Sequence, residues 1–252
     1  MGIARPVCGR LRRPLHRLGA ALLAAAALAC ATTQAPPPGP GTGAVQGTLR
    51  LVPREGVTPV KPGASPYANR RMADVTFVDY SKPGFAVVYV TQGASPGGTA
   101  ELAIRTTGVR TRLDPAHAAV GAGGRIAVRN DSSAPHVLSL PGIGMLQRLD
   151  PGQRVEIPVS QAGEQSLYLL DVPRSESVVF VSPGPFTVVA EDGRFQLSGL
   201  AAGDHELMAW HPRFPPAHAS LRIADGSIAH LDLDMGVDQR DDVPASAPAN
   251  LP

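Results

Sequence analysis

The chain has 252 residues, 43% of them hydrophobic, 17% charged and only 4% aromatic, with 27 glycines, 26 prolines and two cysteines. Glycine and proline together make about a fifth of it, which calls for many tight turns and excludes a collagen, a coiled coil and a long-helix bundle, yet stays below the roughly 25–30% of low-complexity chains. The formal charge of +2 is unevenly spread, because five of the 23 basic residues fall within the first 17 positions, where there is no acid.

Those five, Arg5, Arg10, Arg12, Arg13 and Arg17, precede an unbroken run of Leu, Ala and one Gly from Leu18 to Ala29. The run is too short to span a bilayer, which takes about 20 apolar residues. A basic head followed by a short apolar run predicts a secretory signal peptide over 1–30. It closes as Ala27-Leu28-Ala29-Cys30, which resembles a bacterial lipobox with Ala27 in place of the usual leucine. That resemblance implies lipidation of Cys30 and a periplasmic protein anchored to the outer membrane; the same residues also satisfy an ordinary A-x-A cleavage site. Residues 31–44, ATTQAPPPGPGTGA, read as a Pro- and Gly-rich tether. Without the signal the balance is 18 basic against 21 acidic residues, a net charge of −3. No basic cluster is left to neutralise phosphates, so nucleic acid is not an expected partner. Cys8 and Cys30 both belong to this leader, so the folded part has no disulfide and no thiolate for a metal or a nucleophile.

Downstream, VQGTLRLV (45–52) alternates apolar and polar residues with period 2, the pattern of a half-buried strand. Further β-branched segments follow at ADVTFVDY (73–80), FAVVYV (85–90), AELAIR (100–105), RIAVRN (125–130), HVLSL (136–140), RVEIPV (154–159), SLYLLDV (166–172) and SVVFV (177–181). After Pro183-Gly184-Pro185 come FTVVA (186–190), RFQLSGL (194–200), HELMAW (205–210), SLRIA (220–224) and IAHLDLDM (228–235), with Asp192-Gly193 and Asp225-Gly226 as turns. Short strands every 8–12 residues with turn signals between them predict an all-β sandwich or barrel. The polar tail, 237–252, is expected to be disordered.

Three blocks carry a resemblance: HAAVGAGGRIAVRNDSSAPHVLSL (117–140), PGQRVEIPVSQAGEQSLYLLDVP (151–173) and AEDGRFQLSGLAAGDHELMAWHP (190–212). Residues 117–181 resemble a cupredoxin, the small blue-copper Greek-key sandwich. Residues 45–236 as a whole resemble bacterial periplasmic proteins, some plastocyanin-like or methylamine-utilisation-like, that join such a unit to a carboxypeptidase-regulatory-like (transthyretin-like) sandwich. The resemblance implies a discontinuous regulatory-like sandwich over 45–97 and 183–236 with the cupredoxin-like unit, 98–182, inserted; two consecutive domains, 45–182 and 186–236, are the competing layout. His136 takes the position of the family's first copper histidine. Counted from Pro151-Gly152, Leu169 stands at the cysteine, Val172 at the second histidine and Ser175 at the methionine. A blue-copper site needs a thiolate, two imidazoles and a weak axial ligand. Residues 164–180 contain no Cys, His or Met, so no copper and no other cofactor is expected.

Other signals are weaker. His136, alone or with His117 or Met145, is either an unconventional metal ligand or a histidine at a strand start, hydrogen-bonded or solvated. HELMA (205–209) begins like the zinc-protease H-E-x-x-H, but Ala209 replaces the second histidine and the segment reads as a strand. Trp210-His211-Pro212 with His218 reads as a strand end and a Pro-rich loop rather than a metal pair. Asp232 and Asp234 alternate with Leu231, Leu233 and Met235 as a solvated strand face, and Glu191-Asp192-Gly193 is a hairpin turn without the oxygen ligands of a calcium loop. With no G-x-S-x-G, no phosphate loop and no paired carboxylates, the expected function is non-enzymatic, a binding or assembly role in the cell envelope towards an unidentified protein or ligand. Metal binding or electron transfer near His136 is the alternative.

Overall fold

The computed structural model describes residues 41–59 and 78–237. The signal peptide, Cys30, most of the tether, the start of the 73–80 strand and the tail from 238 lie outside the described residues. The opening strands are β1 (Thr42–Leu51) and β2 (Val87–Val90). A second group runs β3 (Thr99–Thr107), β4 (Arg110–Asp114), β5 (His117–Gly121), β6 (Gly124–Asn130), β7 (His136–Leu140), β8 (Met145–Leu149), β9 (Arg154–Val159), β10 (Gly163–Leu169) and β11 (Glu176–Ser182). The last comprises β12 (Phe186–Val188), β13 (Arg194–Ala201), β14 (Gly203–His211), β15 (Phe214–Ile223), β16 (Ile228–His230) and β17 (Leu233–Met235). Apart from one 3-10 turn at Pro141–Ile143, the described elements are all strands. The fold is all-β.

The strands form four sheets in two sandwiches. In the first, β1 lies antiparallel to β13 and parallel to β16 and β17, and the facing sheet runs β12-β2-β14-β15. Val45, Leu49 and Leu51 of β1 and Val88 and Val90 of β2 pack there with Phe195, Leu207 and Met235. In the second, β4-β3-β6-β9 faces β5-β11-β10-β7-β8 over a separate core that includes Ile104, Ile126, Leu138, Leu167 and Val179. Each fully buried leucine or isoleucine there contributes about 1.5–3 kcal/mol through apolar surface removed from water. Among the described residues neither β1 nor β2 pairs with any strand of 99–182; β2 pairs with β12 and β14.

Two chain features permit this arrangement. Gly47 lies where the chain crosses from β16 to β17, and a Cβ there would collide with the Leu231 carbonyl, whose own N–H bonds to Gln46 O at 3.0 Å. Gly193 takes φ +85° in the turn before β13, a left-handed conformation that glycine adopts without a Cβ clash.

Several boundaries differ from the sequence reading. β1 begins at Thr42, three residues into what reads as tether, because Thr42 and Gly43 already pair with Ala201 and Leu200. β15 begins at Phe214, so Pro215, Pro216 and His218 belong to a strand rather than a loop. It is an edge strand paired only with β14, where proline's missing N–H is tolerated. β10 ends at Leu169, and 170–175 is a turn instead of strand.

Candidate functional site

The candidate site is the end of the second sandwich where β6 hands over to β7. Asn130, wholly buried at the end of β6, uses every hydrogen-bonding capacity of its amide. Its Nδ2 donates to Ala134 O (2.8 Å) and Leu149 O (2.9 Å), and its Oδ1 accepts from Ser132 N (3.0 Å) and Ser132 Oγ (2.7 Å). This knot fixes the 131–135 loop and so the start of β7, where His136 stands opposite Leu149.

His136 is 6% exposed. It shares strand parity with Leu138 and Leu140, which point into the core. Its Nδ1 lies 2.7 Å from Asp171 Oδ2, and because an ionised carboxylate only accepts, Nδ1 carries the proton. The other oxygen, Oδ1, accepts from Val137 N at 2.9 Å. Asp171 thus clamps the ring and the backbone beside it. Burial pushes the Asp171 carboxyl up, but the hydrogen bonds from Val137 N, the His136 ring and its own N–H together outweigh that and leave it below the usual range. His136 Nε2 is buried and has no hydrogen-bond partner.

The remaining positions of the resemblance are filled by packing. Leu169 is buried in the core, and Val172 packs against it. Ser175 is buried with its Oγ accepting from Leu113 N (3.1 Å), while its carbonyl accepts from Leu169 N (3.1 Å). Arg174 between them takes φ +59°, an uncommon conformation for a side-chain-bearing residue that closes this tight turn. These side chains do not fit a copper ion: among the described residues one imidazole stands at these positions, its Nδ1 is engaged by Asp171, and no thiolate, second imidazole or thioether joins it. Among the described residues no group of three or more His, Cys, Asp or Glu side chains is placed to hold a metal ion.

The structure does not bring the other sequence candidates to this end. Met145 pairs with Leu140, at the opposite end of the β7–β8 hairpin from the His136–Leu149 pair. His117 pairs with Val178 on the outer face of β11 and stacks on Phe85 (5.7 Å, 20°). His205 lies on strand β14 with Nε2 on Ala201 O (2.7 Å), so the spacing of a helical zinc motif does not apply. His211 is buried, Nε2 donating to Pro83 O (3.0 Å) and Nδ1 accepting from Arg213 N (2.9 Å), whereas His218 faces Glu206 at 4.0 Å. Asp232 accepts from Thr48 N, Thr48 Oγ1 and Arg50, and Asp234 lies 3.7 Å from Arg50. A shallow concavity of about 360 Å³ lies beside them, lined by Gln46, Thr48, Arg194, Gln196, His230 and Asp232 among others.

Sequence reading missed Asp171 and Asn130 as parts of the His136 site. Asp171 is 35 residues away and becomes its partner only through β7–β10 pairing. The N-x-S spacing of Asn130 and Ser132 was the available signal for the knot, since short polar side chains bond backbone two residues on.

No family model matches the chain, and no curated protein matches it. Among solved structures, the chain is similar to a purple cupredoxin from Nitrosopumilus maritimus, 23% identical over 33% of this chain and 99% of that one, with a TM-score of 0.28. It is also similar to amicyanin from Paracoccus versutus, 17% identical over 38% of this chain and 97% of that one (TM-score 0.30), and to the reduced state of an amicyanin mutant, 13% identical over 38% and 98% (TM-score 0.30).

Proposed function

We propose that the protein is a non-enzymatic, exported β-sandwich lipoprotein whose cupredoxin-like unit has given up copper and serves as a binding or assembly surface in the cell envelope. The observation that carries this reading is the filled metal end. Leu169 and Val172 belong to the core, Ser175 Oγ bonds Leu113 N, and Asp171 takes the His136 nitrogen and the Val137 N–H together. Among the described residues no hydroxyl reaches His136 Nε2, which supports a non-catalytic reading of the His136–Asp171 pair. The reading further assigns the first sandwich to the carboxypeptidase-regulatory-like type, with 98–182 as a domain inserted between 45–97 and 183–236, and Cys30 as the lipid anchor to the outer membrane.

The second reading, a metal-binding or electron-transfer protein with an unconventional site at His136, is favoured by one observation. Nε2 is an orphaned buried lone pair backed by a carboxylate on the other ring nitrogen, the arrangement that orients metal-ligating histidines. Elemental analysis of the purified protein separates the two. Substoichiometric metal supports the first; one equivalent of a transition metal, lost in His136→Ala, supports the second.

A further inference from the structure

Strand alternation turns Leu102, Ile104 and Leu113 into the second core and leaves Arg105, Arg110 and Arg112 on the outer face of the β3–β4 hairpin. In the antiparallel register Arg105 stands directly opposite Arg112, and Arg110, two residues nearer the turn, stands opposite Thr107. Like charges set directly opposite each other destabilise a sheet. Asp114 accepts from Arg105 at 3.0 Å and lies 3.9 Å from Arg112, so one carboxylate is shared by two guanidiniums. Asp131, 3.9 Å from Arg105, is already held by Arg129 at 3.0 Å. No ion pair engages Arg110 among the described residues. Farther along the same sheet, Arg125 and Arg154 are matched by Glu156 and Glu101. The excess positive charge is therefore confined to the hairpin tip, in a chain that carries −3 without its leader. Sequence reading found no basic cluster; β3–β4 pairing builds a small one.

The turn that closes this hairpin is Gly108-Val109, with Gly108 supplying the positive φ (+61°) of its first position. Val109 is 100% exposed, so an apolar side chain projects wholly into solvent beyond the three arginines. We propose that the β3–β4 hairpin tip is a membrane-docking element: Val109 enters the headgroup boundary of an anionic bilayer while Arg105, Arg110 and Arg112 meet lipid phosphates. A guanidinium presents a planar fork of donors that matches phosphate oxygens, and Arg110 and Arg112 have that capacity to spare. The valine is what favours a lipid surface over a soluble polyanion, which offers an apolar tip nothing to enter. The acidic balance of the rest of the chain is repelled by an anionic membrane, so the field turns the protein tip first. The site stands on the hairpin alone and holds whether or not Cys30 carries a lipid.

The test attaches an environment-sensitive nitrobenzoxadiazole probe to Val109→Cys in the full chain carrying Cys8→Ser and Cys30→Ser, which leaves one thiol and no acyl chain. Vesicles of phosphatidylcholine mixed with phosphatidylglycerol are expected to brighten and blue-shift the probe, and added salt to reverse the change. Vesicles of phosphatidylcholine alone should leave it as it is in buffer. Arg110→Gln with Arg112→Gln should weaken the apparent vesicle affinity about tenfold or more, since one arginine near an anionic surface is worth about fivefold. The thermal midpoint of that variant should hold, because two like charges leave the sheet. The same probe on Leu146→Cys, an exposed apolar side chain of β8, should stay silent. All variants share one leader, so failure of the anchor reading leaves the comparison between them intact. No response at position 109, an equal response at position 146, or an affinity indifferent to the two arginines overturns the proposal. So does a response to soluble polyphosphate with none to vesicles, which would make the cluster a polyanion site instead.

Discussion

Asn130 offers the sharpest test of how the His136 end is built. Asn130→Ala removes a buried amide whose four hydrogen bonds all lie within the β6–β7 turn and its neighbour β8. Ala134 O keeps the Ser132 hydroxyl at 3.0 Å, but Ser132 N and the Leu149 carbonyl lose their Asn130 partner. At about 1–3 kcal/mol for each of these two buried groups left unsatisfied, the loss is about 2–6 kcal/mol. Urea unfolding at neutral pH should show it as a lower midpoint at unchanged slope. Asn130→Asp sharpens the test. The new carboxylate still accepts from Ser132 but turns its second oxygen on two carbonyls, so at neutral pH it should destabilise more than alanine. Its carboxyl is pushed up in the folded state, which then binds more protons than the unfolded chain, so stability recovers as pH falls through that raised value. A loss below about 0.5 kcal/mol for Asn130→Ala, or an Asn130→Asp protein as stable as wild type at neutral pH, would refute the knot.

Asp171→Ala should cost about 1 kcal/mol at neutral pH, solvent screening of the half-exposed carboxylate included. Because that carboxyl is held below its ordinary value, its contribution is present above the ordinary carboxylate pKa and lost as pH falls through the lowered one, so the variant and wild type should converge in urea midpoint once pH has fallen below that lowered value; an unchanged gap contradicts the clamp. Gly47→Ala drives a β-carbon into the Leu231 carbonyl, and overpacking at that crossing should lower stability by about 1–3 kcal/mol; a neutral effect on the thermal midpoint would show that β16 and β17 do not close on β1 as described. Cys30→Ser should shift the protein from the membrane to the soluble fraction on cell fractionation, and unchanged membrane association would count against lipidation.

The parts of this fold that sequence made legible are those with clean alternation on a buried strand. VQGTLRLV places Val45, Leu49 and Leu51 inward, and VVFV (178–181) is apolar throughout because β11 is covered on both faces, Val179 and Val181 on one side and Phe180 on the other. Edge strands were harder to read. RTRLD of β4 buries only Leu113 fully, MLQRL of β8 leaves Leu146 65% exposed, and the start of β15 hides behind two prolines. At the candidate site His136 was legible as a strand start from its place after the Ser-Ser-Ala-Pro loop. What turned a histidine at a strand start into a clamped pair was not local. Asp171 reaches it across a sheet, just as Glu164 reaches Trp210 across 46 residues.

The central proposal, that core packing and an Asp171–His136 pair stand where a blue-copper site would need its ligands, is tested most directly by adding Cu(II) to the purified protein and recording its visible spectrum. The account predicts no intense charge-transfer band near about 600 nm, since no thiolate stands at Leu169. An intense blue or purple species that titrates to one equivalent would contradict it.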